Sequence, residues 1–334
     1  MKPLVFLAIL LTAMRAAPAA DRPKVVAYVP NWNNLAAFAP TIDYAKVTHL
    51  NVAFENPVND SGEMSWNPGN ALLVKPAKAR GVKVLLSIGG GSASGDKALL
   101  ARYGALLGKD HRGAFAAKLA RFVRQHDFDG LDVDLEGPSI TADYGPFIAI
   151  LRRECDSRKL MLTAALSRGY GGDRVPDTTL SEFDFINLMA YDATGPWNPK
   201  APGQHSSLEM AEQTVAYWLK RGLPKEKAVL GVPFYGYGFG PAFKTRDYPF
   251  GEIVRQHPGA ELTDQIGDTI YYNGKPTIRA KCMLVRTRSL AGIMIWSLDS
   301  DATGEHSLLK VIAESLADGD PPAPNGNANP RFRR

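Results

Sequence analysis

The chain has 334 residues, enough for one large domain or two ordinary ones. Hydrophobic residues make up 45% and charged residues 22%, the balance of a globular protein, which excludes a disordered or fibrous chain. A net charge of +5, from 39 Lys and Arg against 34 Asp and Glu, is too small and too scattered to suit a nucleic-acid partner.

At the start, Met1 and Lys2 precede an apolar run from Leu4 to Leu11. Small residues follow, with Ala17-Pro18-Ala19 as the cleavage signal. The pattern predicts a secretory signal peptide over residues 1–19 and a mature chain in the extracellular space or periplasm. The run is shorter than the roughly 20 residues that span a bilayer, and no later segment is apolar enough, so no membrane partner is expected.

A catalytic domain is predicted over residues 20–317. Lys24–Val29, Val47–Phe54, Val82–Ser87, Gly130–Leu135, Leu160–Leu166, Phe183–Met189, Ala228–Tyr235 and Gly292–Ser297 read as strands. Several are continuous Val/Ile/Leu runs, as expected of parallel strands covered on their outer face. Helical patterns lie between them: Phe115, Leu119 and Phe122 recur at helical spacing, and Ala142–Arg153, Leu208–Leu219 and Leu308–Leu316 are further helices. Eight such alternations predict an α/β fold of the (β/α)8, or TIM-barrel, type. A doubly wound sheet is the alternative, but no Gly-x-Gly-x-x-Gly run follows the first strand. A barrel needs about 250 residues. The surplus lies mainly from Tyr237 to about Lys275, which predicts a small insertion between strand 7 and helix 7, on the catalytic face. Within it, Asn273-Gly274 predicts a tight hairpin turn. Residues 318–334 have almost no apolar content and read as a disordered tail. Lys2, Arg15 and the arginine-rich end carry much of the net positive charge, leaving the barrel close to neutral. Cys155 and Cys282 fall on well-separated elements and are not expected to pair.

The most informative run is Asp129-Gly130-Leu131-Asp132-Val133-Asp134-Leu135-Glu136. Side chains alternate along a strand, so Asp132, Asp134 and Glu136 share the inner face while Leu131, Val133 and Leu135 face the outer helices. Successive inner carboxylates are then about 6.6–6.8 Å apart along the strand. Asp129 has the opposite parity and reads as structural. Burying like charges together is costly, so some of these groups are protonated or neutralised by a metal. Close carboxylates split their pKa values, which lets an acid and a base coexist at one pH. The six His are scattered, and no His-x-His or Cys-x-x-Cys spacing supplies ligands. No metal or other cofactor is therefore expected, with Mg2+ or Ca2+ on carboxylates alone as the rival reading.

Asp-Gly-x-Asp-x-Asp-x-Glu resembles the signature of glycoside hydrolase family 18, which holds chitinases and endo-β-N-acetylglucosaminidases. Three other strand ends resemble the family in order: Ser87-Ile88-Gly89-Gly90, Met189-Ala190-Tyr191-Asp192 and Trp296. Tyr28 closes the first strand in Val25-Val26-Ala27-Tyr28-Val29-Pro30. The resemblance spans nearly all of Lys24 to Leu316. It implies substrate-assisted catalysis, in which the sugar's own 2-acetamido oxygen attacks the anomeric carbon with retention of configuration. Glu136 would protonate the leaving oxygen and later activate water. Asp134 would hold the acetamido N–H, and Asp132 would share a proton with Asp134. Tyr191 would bond the acetamido oxygen and Asp192 would tune Glu136. Tyr28 and Ser87 would support Asp132, Trp296 would floor the subsite, and Gly89, Gly90 and Met189 complete the family's binding motifs. Trp32, Trp197, Tyr235 and Tyr237 lie near strand ends and suit either stacking on sugar faces or core packing. Trp66 reads as loop or outer subsite, and Trp218 as core.

The chain also departs from the family pattern. Leu135 and Gly137 flank the acid where many members carry aromatics, and Tyr237 stands where many carry Arg. The insertion is shorter than the α+β domain of some members, which implies a more open cleft suited to endo-acting cleavage. The expected partner is chitin or another N-acetylglucosamine-containing glycan, bound by a monomer. A secreted chitinase is the first reading, an endo-β-N-acetylglucosaminidase the second, and a non-catalytic chitin lectin the third.

Overall fold

The structure is a computed structural model that describes residues 22–317. The predicted signal peptide and C-terminal tail lie outside the described residues.

The strands are β1 (Lys24–Pro30), β2 (His49–Ala53), β3 (Lys83–Gly89), β4 (Gly130–Asp134), β5 (Met161–Ser167), β6 (Phe185–Met189) and β7 (Ala228–Pro233), then β8 (Tyr235–Gly238), β9 (Tyr248–Pro249), β10 (Gln265–Ile266) and β11 (Ile270–Tyr271) of the insertion, and β12 (Gly292–Trp296). The parallel strands close into an eight-stranded barrel in the order β1-β12-β7-β6-β5-β4-β3-β2. This is the (β/α)8 barrel that the alternating pattern predicts. Strand parity builds two separate cores. Val25, Ala27 and Val29 face the helices, where they join Phe115, Leu119, Phe147, Leu151 and Trp218. Val26 and Tyr28 face inward with Ala165, Phe185, Val229 and Met294. Each fully buried Val, Leu, Ile, Phe or Met side chain contributes about 1.5–3 kcal/mol, so the helix layer is the main source of stability. Local chemistry sets the helix starts. Asp96 accepts from Ala98 N and Leu99 N to open Lys97–Leu107, and Ser207 accepts from Met210 N to open Leu208–Lys220.

Because all eight strands run the same way, their C-terminal ends open on one face, which collects the loops that can carry chemistry. The insertion sits on this face as a small antiparallel sheet in the order β10-β11-β8-β9. It begins at Tyr235, two residues before the predicted start. The seventh strand breaks at Phe234, whose N–H donates to Trp296 O, so Tyr235 leaves the barrel and pairs with Pro249. The predicted turn at Asn273-Gly274 is also corrected. The hairpin between β10 and β11 turns through Gly267, where φ is +50°. Asn273 is buried instead. Its Nδ2 donates to Ser206 O at 2.9 Å, and its Oδ1 accepts from buried Lys281 Nζ at 2.7 Å. These bonds tie the insertion to the loop after β6 and leave Gly274 to open the helix Lys275–Arg288.

Cys155 and Cys282 are buried free thiols, and Trp218 is core, as predicted. Trp66 is no subsite. It packs on Phe122, His126 and Phe128 on the helix side of the barrel.

Candidate active site

β4 supplies the carboxylates, and the barrel register supplies their partners. Asp132 lies level with Ser87 on β3 and Thr163 on β5. It is fully buried and accepts four hydrogen bonds. Tyr28 Oη and Ser87 Oγ donate to Oδ2 at 2.6 and 2.7 Å. Thr163 Oγ1 and Asn187 Nδ2 donate to Oδ1 at 2.6 and 3.3 Å. Burial raises the Asp132 pKa, and these donors pull it back down. Thr163 and Asn187 were not singled out from sequence. Their only signal is an inward position on strands neighbouring the carboxylates.

Asp134 lies one inward step further on. Its Oδ1 is buried and meets no donor among the described residues, although the residue lines the cleft. Burial first, then the charges of Glu136 and Asp132, push its pKa well above the usual carboxylate range. Glu136 follows the strand end in extended backbone at the cleft wall. Its pKa rises to about 7, from burial first and the charge of Asp192 second. Burial therefore outweighs the crowding that the sequence suggested as the cause.

Asp192 adopts φ +66°, a conformation that Asp and Asn tolerate better than most residues. Its Oδ1 accepts from Tyr235 Oη at 2.5 Å and from Tyr237 Oη at 3.1 Å. Neutral hydroxyls thus hold Asp192 where the family pattern places an arginine. His205, fully buried, was missed from sequence because it stands in a loop with no motif around it. Its Nδ1 lies 3.5 Å from Asp192 Oδ1, and its carbonyl accepts from Ala193 N at 3.0 Å. Tyr191 is nearly buried beside the cleft, and its hydroxyl makes a weak contact to Met294 Sδ at 3.9 Å.

An aromatic row crosses the cleft. Trp32 stacks on Phe54 with centroids 6.3 Å apart, and Phe54 stacks on Trp296 at 5.7 Å. Tyr28 also meets Trp296, tilted, with centroids 5.5 Å apart. Trp197 meets Tyr237 edge-on at 5.4 Å. Trp32 and Trp197 are largely exposed, which excludes core packing for those two, while Tyr235 and Tyr237 are mostly buried. Met189, Tyr235 and Tyr237 also line the cleft, as does Phe54, which sequence reasoning passed over as the end of a strand. Ser87, Gly89 and Gly90 stand behind the lining rather than in it. Gly90 N–H donates to Asp134 O at 2.8 Å, and a Cβ on Gly89 would fall 2.2 Å from the same oxygen. Their smallness lets the end of β3 press against the backbone of Asp134.

Among the described residues, no group of three or more His, Cys, Asp or Glu side chains is placed to hold a metal ion. None of the described helices is long and apolar enough to cross a membrane. A buried, hydrogen-bonded carboxylate, a second with an oxygen open to a donor, and a third protonatable near neutrality can together bind a neutral ligand and pass it a proton.

The family of glycosyl hydrolases family 18 matches residues 24–301 of the chain. The crystal structure of a GH18 chitinase, ChiB, from Flavobacterium johnsoniae is 38% identical, with a TM-score of 0.82, over 88% of this chain and 94% of that one. A mutant of the second catalytic domain of a group II chitinase from Ostrinia furnacalis, solved with a penta-N-acetylchitooligosaccharide, is 25% identical with a TM-score of 0.75 over 90% of this chain and 98% of that one. Human chitinase-3-like protein 2 is 26% identical over 88% of this chain and 92% of its own length.

Proposed function

The chain belongs to glycosyl hydrolases family 18, and from that premise we propose that it is a secreted hydrolase of β-1,4-linked N-acetylglucosamine polymers, working by substrate assistance with retention. The observation that carries this reading is the pairing of Glu136, with a pKa of about 7, and Asp134, with an unpartnered Oδ1, on one wall of an aromatic cleft. Export rests on the apolar run Leu4–Leu11 and the small residues after it.

The steps follow from the side chains. The sugar over Trp296 presents its acetamido N–H to Asp134, and Tyr191 Oη donates to its carbonyl oxygen. That oxygen forms a bond to the anomeric carbon as the glycosidic C–O bond breaks. Glu136 gives its proton to the departing oxygen and becomes a carboxylate. Water then attacks the anomeric carbon from the vacated side, giving its proton to Glu136 and opening the oxazolinium ring. No protein nucleophile is needed, and the two steps together return Glu136 to its protonated form. The four donors around Asp132 hold it in place behind Asp134 and offset part of the burial that raises its pKa.

The test is an assay of purified protein on chitooligosaccharides and on a high-mannose glycopeptide, with Glu136→Gln as control. Hydrolysis of the first substrate alone is expected. Losing the general acid should lower kcat by about 10²–10⁴-fold. Cleavage of the glycopeptide alone would favour an endo-β-N-acetylglucosaminidase. Binding without turnover in the unmutated chain would favour a lectin, the reading that the intact Glu136 speaks against.

A further inference from the structure

Resting on the reading above, we propose that Tyr170 binds the departing sugar, as an aromatic platform on the leaving-group side of Glu136 that Gly137 makes room for. The cleft has two lobes. One, of about 670 Å³, contains Trp296, Tyr28 and Asp134. The other, of about 1030 Å³, contains Tyr170, Arg168, Met210 and Gln213. Glu136, Tyr191 and Trp197 line both. A bond protonated by Glu136 therefore has a sugar in each lobe. The sugar whose acetamido group meets Asp134 occupies the first lobe, so the second receives the leaving group.

In that second lobe Tyr170 is 55% exposed, yet its backbone is held. Its carbonyl accepts from Gly137 N at 3.1 Å and from Ser167 Oγ at 2.9 Å. Arg174 Nη2 donates to Gly137 O at 2.6 Å, so the loop after β5 is fastened to the residue next to the acid. The phenol ring lies over Gly137. A Cβ there would fall 2.2 Å from Tyr170 Cζ and 2.6 Å from its hydroxyl, and φ at Gly137 is +49°. No side chain can stand at 137 while Tyr170 keeps this place. The aromatic surface that the family pattern puts directly after the acid is thus supplied from the next strand's loop. A rigid exposed ring costs little entropy to use and suits the apolar face of a neutral pyranose. Arg168 Nη1 donates to Gln213 Oε1, and Gln213 Nε2 to Glu209 Oε1, both at 2.9 Å, which gives the lobe a polar edge for hydroxyls.

The test compares kcat/KM for the N-acetylglucosamine tetramer with that for chitobiosyl fluoride, whose leaving group is a single ion. Tyr170→Ala should lower the tetramer value about tenfold and the fluoride value less than about twofold, and Tyr170→Phe should keep both near wild type. Equal losses on the two substrates, or none on either, would overturn the assignment. A thermal melt of each variant separates misfolding from lost binding. If the unmutated chain turns over neither substrate, the hydrolase reading itself fails and the assignment fails with it.

Discussion

Asp132, Asp134 and Glu136 share one face of one chain segment but occupy three environments, and the environments divide their labour. Among the described residues, Asp132 has four donors and Asp134 has none for Oδ1. Glu136 is raised to about 7 with Asp192 as its charged neighbour. In the proposed first step the donor is the protonated form of Glu136, so kcat/KM should fall as pH rises through about 7. Asp192→Asn should move this basic limb to lower pH. Asn keeps the αL backbone and an acceptor for Tyr235 and Tyr237 but removes the negative charge that favours the protonated acid. A pH–rate profile of both proteins measures this, and an unmoved or alkaline-shifted limb would contradict the Asp192 coupling. The three carboxylates were legible in sequence because a strand's period of two is visible in a single run. Thr163, Asn187, Phe54, His205 and Tyr170 were not. They are neutral or lack a motif, and they meet the acids only through register and loops distant in sequence.

At the scale of elements, the close approach of β3 and β4 holds the site together. Gly89 has φ +101°, and a Cβ there would collide with Asp134 O. Gly89→Ala combines left-handed strain with a backbone clash, and should destabilise the fold by about 2–4 kcal/mol while displacing Asp134. Urea denaturation should show a lower midpoint and the assay a lower kcat. An unchanged midpoint would mean that β3 is free to shift. The barrel strands were read from their apolar runs with errors of a few residues at their ends. The Asn273-Gly274 pair was misread because its local turn signal is strong, whereas Lys281 and Ser206, which claim Asn273, act from outside the segment.

For the whole molecule, closing the barrel is what makes a site out of scattered residues. Tyr28, Asp132, Thr163 and Asn187 come from four strands and meet at one carboxylate. The near-neutral barrel suits an uncharged polymer, and the concentrated charge is local to the cleft. The order of the strands and the place of the insertion followed from the alternating pattern, while the shape of the cleft depended on loops whose contacts no local pattern encodes. In the proposed reaction, the sugar's own acetamido group, positioned by Asp134 and Tyr191, displaces the leaving group protonated by Glu136. The most direct measurement is proton NMR of the first product from an N-acetylglucosamine oligomer, recorded before mutarotation. The β-anomer is expected at the newly formed reducing end, with the α-anomer growing in later; an α-anomer at the earliest times, or no cleavage at all, would contradict the acetamido displacement.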